Sequence, residues 1–286
     1  MPKTSPTLGA HMSVSKGYAA AFEEALAIGG SALQIFAKSP MQSRLRAVTD
    51  EEAAAIAAVP GRKEILSAII HASYLLNFAK PMEADNYQIK SLAEDIVNSH
   101  QIGGEGAVVH MGKTLEMDPS EAEANYVKNI EIALEQTKQV KTKVILENTA
   151  GQGSEMGYRI PDYGRIFKKL HRNNKKRVGS CIDTAHLFGG GYDLSSDAGV
   201  SECLKELHEH VGIENITCIH FNDSKKPVGS RVDRHQDIGR GMIGDPGLKL
   251  LAQKLLKEHP DLPLILETPE EFDPYAEQIK KIKSWL

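Results

Sequence analysis

Residues 220–239 read HFNDSKKPVGSRVDRHQDIG, and this stretch sets His220, Asp223, Asp233 and His235 among Lys225, Lys226, Arg231 and Arg234. Imidazoles and carboxylates are metal-ligand and acid–base types, whereas lysine and arginine bind phosphate. A loop that carries both suits a divalent cation together with a polyanion acted on there. Asp233 and His235 are two residues apart, so an extended backbone turns both to one face, a spacing for two ligands on one ion. In CIDTAHLFGGGYD (181–193), Asp183 ends an apolar run and His186 follows three residues on, in what reads as a turn, so the pair can address different ions. His186 with Asp233 and His235 makes a three-ligand set with one position left open, as catalytic zinc requires.

The elements that must position these groups are short and apolar. TLGAH (7–11), SALQIF (31–36), ILSAIIH (65–71), GAVVH (106–110), KVILE (143–147), VGSCID (178–183), ITCIH (216–220) and LPLILE (262–267) are each strand-length, and amphipathic helix-like stretches separate them. One of these, 118–140, opens with Asp118 and Pro119, an N-cap followed by a first helical residue. Eight strand–helix units predict a parallel sheet closed into an α/β (β/α)₈ TIM barrel, with an open doubly wound sheet as the structural rival. The runs end on His11, Phe36, His71, His110, Glu147, Asp183, His220 and Glu267, so seven of the eight ends are metal-capable or acid–base residues. Barrel enzymes build their sites at the C-terminal ends of the strands, so these side chains are expected to meet at one mouth. Several carboxylates and imidazoles gathered there are costly to bury unless cations neutralise them. Histidines 71, 110, 186, 220 and 235 with carboxylates suit zinc, with manganese as the second option. Ions bridged by carboxylates suit phosphodiester hydrolysis, in which one ion activates water and neighbours stabilise phosphorus and the leaving oxygen.

The bulk properties agree with a globular enzyme. The 286 residues are 41% hydrophobic and 25% charged, with a net charge of −4. That balance does not advertise nucleic acid, but steering depends on where charge sits, and bound metals add positive charge. Cys181, Cys203 and Cys218 are an odd number without CxxC spacing, which predicts reduced thiols and a cytoplasmic location. No signal-peptide core or membrane-length apolar stretch is present, so no membrane partner is expected. The cluster KKLHRNNKKR (168–177) leads into the sixth strand and therefore belongs to the bottom of the barrel, as a solvated face. The cations of 225–234, with Arg240 just beyond, follow the seventh strand and belong to the active face, where they can grip phosphates flanking the metals.

ENTAGQGSEMG (147–157), CIDTAHLFGGGYD (181–193) and HFNDSKKPVGSRVDRHQDIGRGMIG (220–244), with GAHMS near the start and LETP near the end, resemble the endonuclease IV family, zinc-dependent apurinic/apyrimidinic endonucleases on xylose-isomerase-like barrels. The resemblance covers almost the whole chain and implies one endonuclease domain over residues 1–286. It implies three zinc ions. His71 and His110 hold the first with Glu147; Glu147 bridges to a second, held also by Asp183, His220 and Glu267; His186, Asp233 and His235 hold the third. All nine positions carry the family's ligand type, and His11 has no role in that pattern. The implied reaction is hydrolysis 5′ of an abasic nucleotide in duplex DNA by a monomer, leaving a 3′-hydroxyl, with trimming of blocked 3′ ends as a companion activity. Extruding the sugar is easiest where a missing base removes stacking. Tyr74, in HASYLLN, matches the family's second insertion point into DNA. The chain departs from the family in FAKSPMQSRLR (36–46), where Pro40, Met41 and Ser43 stand in a stretch that commonly carries glutamine, arginine and an aromatic; Met41, Gln42 and Arg44 are the candidate substitutes.

The main rival on the same barrel is a metal-dependent sugar isomerase or epimerase. It needs fewer ions, and a neutral sugar calls for neither the DRH triplet at 233–235 nor the cationic loop.

Overall fold

Eight parallel strands close on themselves in the computed structural model, which describes residues 5–39, 45–174 and 176–286. The strands are β1 (Leu8–Met12), β2 (Ala32–Ile35), β3 (Ser67–His71), β4 (Gly106–His110), β5 (Lys143–Glu147), β6 (Val178–Asp183), β7 (Ile216–His220) and β10 (Leu264–Leu266), the last inserted between β7 and β1. A small antiparallel pair, β8 (Asp223–Ser224) and β9 (His235–Gln236), stands apart from the barrel. The helices are α1 (Tyr18–Ala27), α2 (Asp50–Ala57), α3 (Tyr87–Gln101), α4 (Pro119–Gln136), α5 (Ile160–Asn174), α6 (Thr184–Gly190), α7 (Asp197–His210), α8 (Gly244–Glu258) and α9 (Tyr275–Lys283). The barrel expected from the alternation of runs is thus the observed fold, and each of the eight expected strands is present. Pro40, Met41, Gln42, Ser43 and Arg44, singled out in the divergent loop, lie outside the described residues, as does Lys175 of the bottom basic cluster.

The strands read as unbroken apolar runs because both faces are buried. One set, including Leu33, Ile35, Ile70, Val109, Leu146 and Ile219, packs under the helices as part of the main core. The other set faces inward, where Ile69, Val108, Ile145, Cys181 and Cys218 form a separate packed cluster. Each fully buried Leu, Ile or Val contributes roughly 1.5–3 kcal/mol. The helices start where the sequence signals a start: Thr49 and Glu52 form a reciprocal capping box on α2, and Asn86, Asp118 and Ser196 cap α3, α4 and α7. Strand register then sets the site, because His110 pairs with Glu147 and Asp183 with His220, so neighbouring strands deliver their terminal side chains at one level.

Candidate metal centre

Glu147, at the end of β5, is fully buried and faces imidazoles with both oxygens. Its Oε2 lies 3.1 Å from His71 Nε2 and 3.2 Å from His110 Nε2, and its Oε1 lies 2.9 Å from His220 Nδ1 and 3.5 Å from His186 Nδ1. Burial pushes the Glu147 carboxyl up, but His220 and His110 overrule it and hold it well below the usual carboxylate range. Glu267, just past β10, places Oε2 3.2 Å from His220 Nδ1. Burial pushes this carboxyl up as well, and His220 and His11 hold it well down. Asp183, fully buried, is both a strand end and the N-cap of α6: its Oδ1 accepts from the His186 backbone N–H at 2.7 Å. His186 therefore sits on a short helix, where the sequence reads as a turn, and that helix brings it back over Asp183. His235 Nε2 is 3.5 Å from Asp183 Oδ2 and 3.4 Å from Asp233 Oδ1, and His186 Nε2 is 3.4 Å from Asp233 Oδ2.

Three of these imidazoles are locked by main-chain carbonyls. The Nδ1–H groups of His71, His186 and His235 donate to the carbonyl oxygens of Ala72 (2.6 Å), Asn148 (2.9 Å) and Glu267 (3.2 Å), which turns each Nε2 lone pair into the shared space. Fixing the far nitrogen in this way is how metal-binding histidines are oriented. The Asn148 and Asn222 side chains reinforce the frame. Asn148 Oδ1 accepts from the Asp183 N–H at 2.7 Å, while Asn222 donates to Asp183 Oδ2 at 2.8 Å and accepts from the Glu267 N–H at 2.8 Å.

The donor set fits divalent cations. Donor atoms within 4.8 Å of one another define the groups His71–His110–Glu147, His71–His220–Glu267, Glu147–Asp183–His220–Glu267 and Asp183–His186–His235. His235 Nε2 is buried without a hydrogen-bond partner, a costly state for an imidazole nitrogen and an ordinary one for a metal ligand. A further group, Cys181–Cys218–His220, lies directly beneath. Burial, then the Cys218 contact, holds the Cys181 thiol well above its usual pKa, so Cys181 behaves as a core residue rather than a thiolate.

The model of the xylose isomerase-like TIM barrel family matches residues 22–285. A protein of Acanthamoeba polyphaga mimivirus named endonuclease 4 is 38% identical over 98% of this chain and 93% of its own length. The chain belongs to the endonuclease IV family. The crystal structure of endonuclease IV from Thermus thermophilus superposes with a TM-score of 0.84 at 34% identity, covering 98% of both chains. A D-tagatose 3-epimerase-like protein, with a TM-score of 0.71 and 19% identity over 97% of this chain and 96% of its own, shares the fold alone.

In this endonuclease IV chain the mouth also carries the residues expected to meet DNA. Tyr74 and Leu75 are exposed beside a groove of about 450 Å³ that reaches His110, His186, Asp233 and Arg234. Tyr74 meets the Phe36 ring edge-on at 6.5 Å. Lys225 pairs with Glu271, and Arg231 stacks on Tyr158, its guanidinium carbon 4.4 Å from the ring centroid, while bonding the Tyr158 hydroxyl at 2.6 Å. Both are thus partly occupied within the fold. Arg234 donates to the Asp233 carbonyl at 2.7 Å, and Lys226 is exposed. The bottom cluster is engaged structurally: Lys169 pairs with Glu123, and Arg177 donates to the Thr142 carbonyl at 2.7 Å. A larger cavity of about 590 Å³ opens at that bottom end, away from the histidines of the mouth, lined in part by Lys143, Glu105 and Glu214. Two residues that organise the mouth, Gln34 and Tyr158, carry little sequence signal, while Asp223, of metal-ligand type in the sequence, instead accepts from backbone N–H groups of 224 and of the 239–244 segment. No helix among the described residues is long and apolar enough to cross a membrane.

Proposed function

We propose that the chain incises duplex DNA 5′ of abasic sites in the cytoplasm, as a monomer holding three zinc ions, leaves a 3′-hydroxyl, and also trims blocked 3′ ends. The observation that carries this is Glu147, a fully buried carboxylate with imidazoles on both oxygens, at a rim where three further carboxylates converge. His71 and His110 with Glu147 would hold one ion, Glu147 with Asp183, His220 and Glu267 a second, and His186, Asp233 and His235 a third. Asp183 also lies close to His186 and His235, so it stands between the last two sets. Three divalent ions would bring six positive charges against the four carboxylates and supply the Lewis acidity that activates water and polarises a phosphodiester.

The protein's own groups supply the rest. The carbonyl-locked imidazoles keep the donor atoms in place, so little reorganisation accompanies reaction. Asp233, with 44% of its side chain exposed, is the ligand nearest solvent and marks the open side. Tyr74 and Leu75 offer apolar surface to fill the stack left by a missing base, and Lys226 and Arg234 offer charge to the flanking phosphates. Three buried free cysteines are in keeping with a reducing compartment.

The test is a nicking assay on an abasic-site duplex, with chelated and zinc-restored protein and metal counting alongside. Zinc near three per chain is expected, with incision abolished in a folded Glu147→Gln variant. Undiminished cleavage by that variant would remove Glu147 from the mechanism, and turnover of a ketose or aldose with none of DNA would replace the nuclease with an isomerase.

A further inference from the structure

Gln34 is a fully buried amide inside the barrel, on a strand that otherwise reads Ala, Leu and Ile. An amide there is destabilising unless its polar atoms are paired. Its Nε2 lies 2.6 Å from Glu267 Oε1 and 3.0 Å from His11 Nδ1, and its Oε1 lies 2.8 Å from His220 Nε2. Two of these three partners are residues proposed to bind the second ion.

We propose that Gln34 is a positioning residue for the metal centre, which fixes the His220 tautomer and holds Glu267 in line with it. The inference rests on the metal set put forward above. Its logic runs from one group to the next. As a carboxylate, Glu267 only accepts, so the Gln34 NH₂ must face it and the Gln34 carbonyl must face His220. A carbonyl only accepts, so His220 carries hydrogen on Nε2 and offers Nδ1 to a cation. That Nδ1 is the atom placed 2.9 Å from Glu147 Oε1 and 3.2 Å from Glu267 Oε2. The second amide hydrogen goes to His11 Nδ1, which opposes rotation of the amide and gives His11 a role its sequence position leaves open. His71, His186 and His235 are locked by backbone carbonyls and present Nε2. His220 presents Nδ1 instead and is locked by a side chain, so a substitution can release it.

The experiment uses zinc-loaded full-length protein, with chelator competition to count and rank the ions and nitrogen-15 NMR of the histidine rings to read tautomers. In Gln34→Met, similar in shape but without the amide, one zinc per chain should weaken by about 10–100-fold while the others hold. The His220 signal should lose its single Nε2–H form. Gln34→Glu keeps an acceptor for His220 but sets a second carboxylate against Glu267, so it should keep the tautomer and still weaken the ion; it also serves if the methionine variant does not fold. His11→Phe should keep the tautomer and change zinc affinity by less than about threefold. The proposal is overturned if folded Gln34→Met, or Gln34→Glu in its place, releases zinc as the unsubstituted protein does, or if the His220 tautomer persists in Gln34→Met. Should the unsubstituted protein bind zinc and fail to cut abasic DNA, the nuclease assignment falls while the role of Gln34 in metal binding stands.

Discussion

Asp223 offers a perturbation whose cost can be worked from its contacts. This fully buried carboxylate receives backbone N–H groups on both oxygens. Oδ1 accepts from Ser224 (2.7 Å) and Ile243 (2.9 Å), and Oδ2 from Gly241 (3.0 Å), Gly239 (3.1 Å) and Gly244 (3.2 Å). These bonds gather 239–244, which carries Arg240, against β8, so tightly that a Cβ on Gly241 would lie 2.5 Å from Asp223 Oδ1. In Asp223→Asn one oxygen becomes an NH₂ group. Whichever way the amide turns, at least two backbone donors then face another donor. Each buried donor left unmatched costs about 1–3 kcal/mol, so the variant should lose about 2–6 kcal/mol. Urea denaturation should show a lower midpoint at unchanged slope. Hydrogen exchange should speed up at the amides of Gly239, Gly241 and Ile243. A loss below about 1 kcal/mol with those amides still protected would refute the account of this loop.

Lys226 and Lys225 should differ on DNA although they are neighbours. Lys225 is paired with Glu271, so Lys226→Ala should flatten the dependence of log affinity on log salt by about 0.9, one phosphate contact, and Lys225→Ala by less; equal changes, read by anisotropy on an uncleavable abasic analogue, would contradict this. Glu123 joins α4 to α5 through Arg165 (2.8 Å) and Lys169 (2.6 Å). Burial pushes its carboxyl up, but those cations overrule it and leave the pKa lowered, so its contribution is present above about pH 4.5 and fades as pH falls through the folded value. With both cations half exposed, Glu123→Gln should cost about 1 kcal/mol at pH 7, and thermal melts of the two proteins should converge in acid.

The barrel was legible because strand length, helix caps and chemically distinctive strand ends all repeat with the same unit. The eight terminal positions could be read off singly, and closure alone brings them together. What the sequence did not display depends on contacts far apart in the chain or on backbone groups without a signature. Gln34 looks like one polar residue in an apolar run; its partners lie 186 and 233 residues away. Arg231 looks like a cation for phosphate, and only the folded chain shows it stacked on Tyr158, 73 residues upstream. Asp223 sits among metal-type residues, but its partners are main-chain amides. His186 was readable as a partner of Asp233 and His235, whereas the helix that carries it was not, because Asp183 doubles as its cap.

The place of β10 between β7 and β1 ties closure of the barrel to the metal centre. Glu267 follows directly on the strand that seals the circle, and β10 must pair with β1, some 250 residues earlier in the chain. Until β10 docks there is neither a closed barrel nor, on the proposed ion set, a complete second site. On that ion set, the pairing that completes the fold would also complete the metal centre.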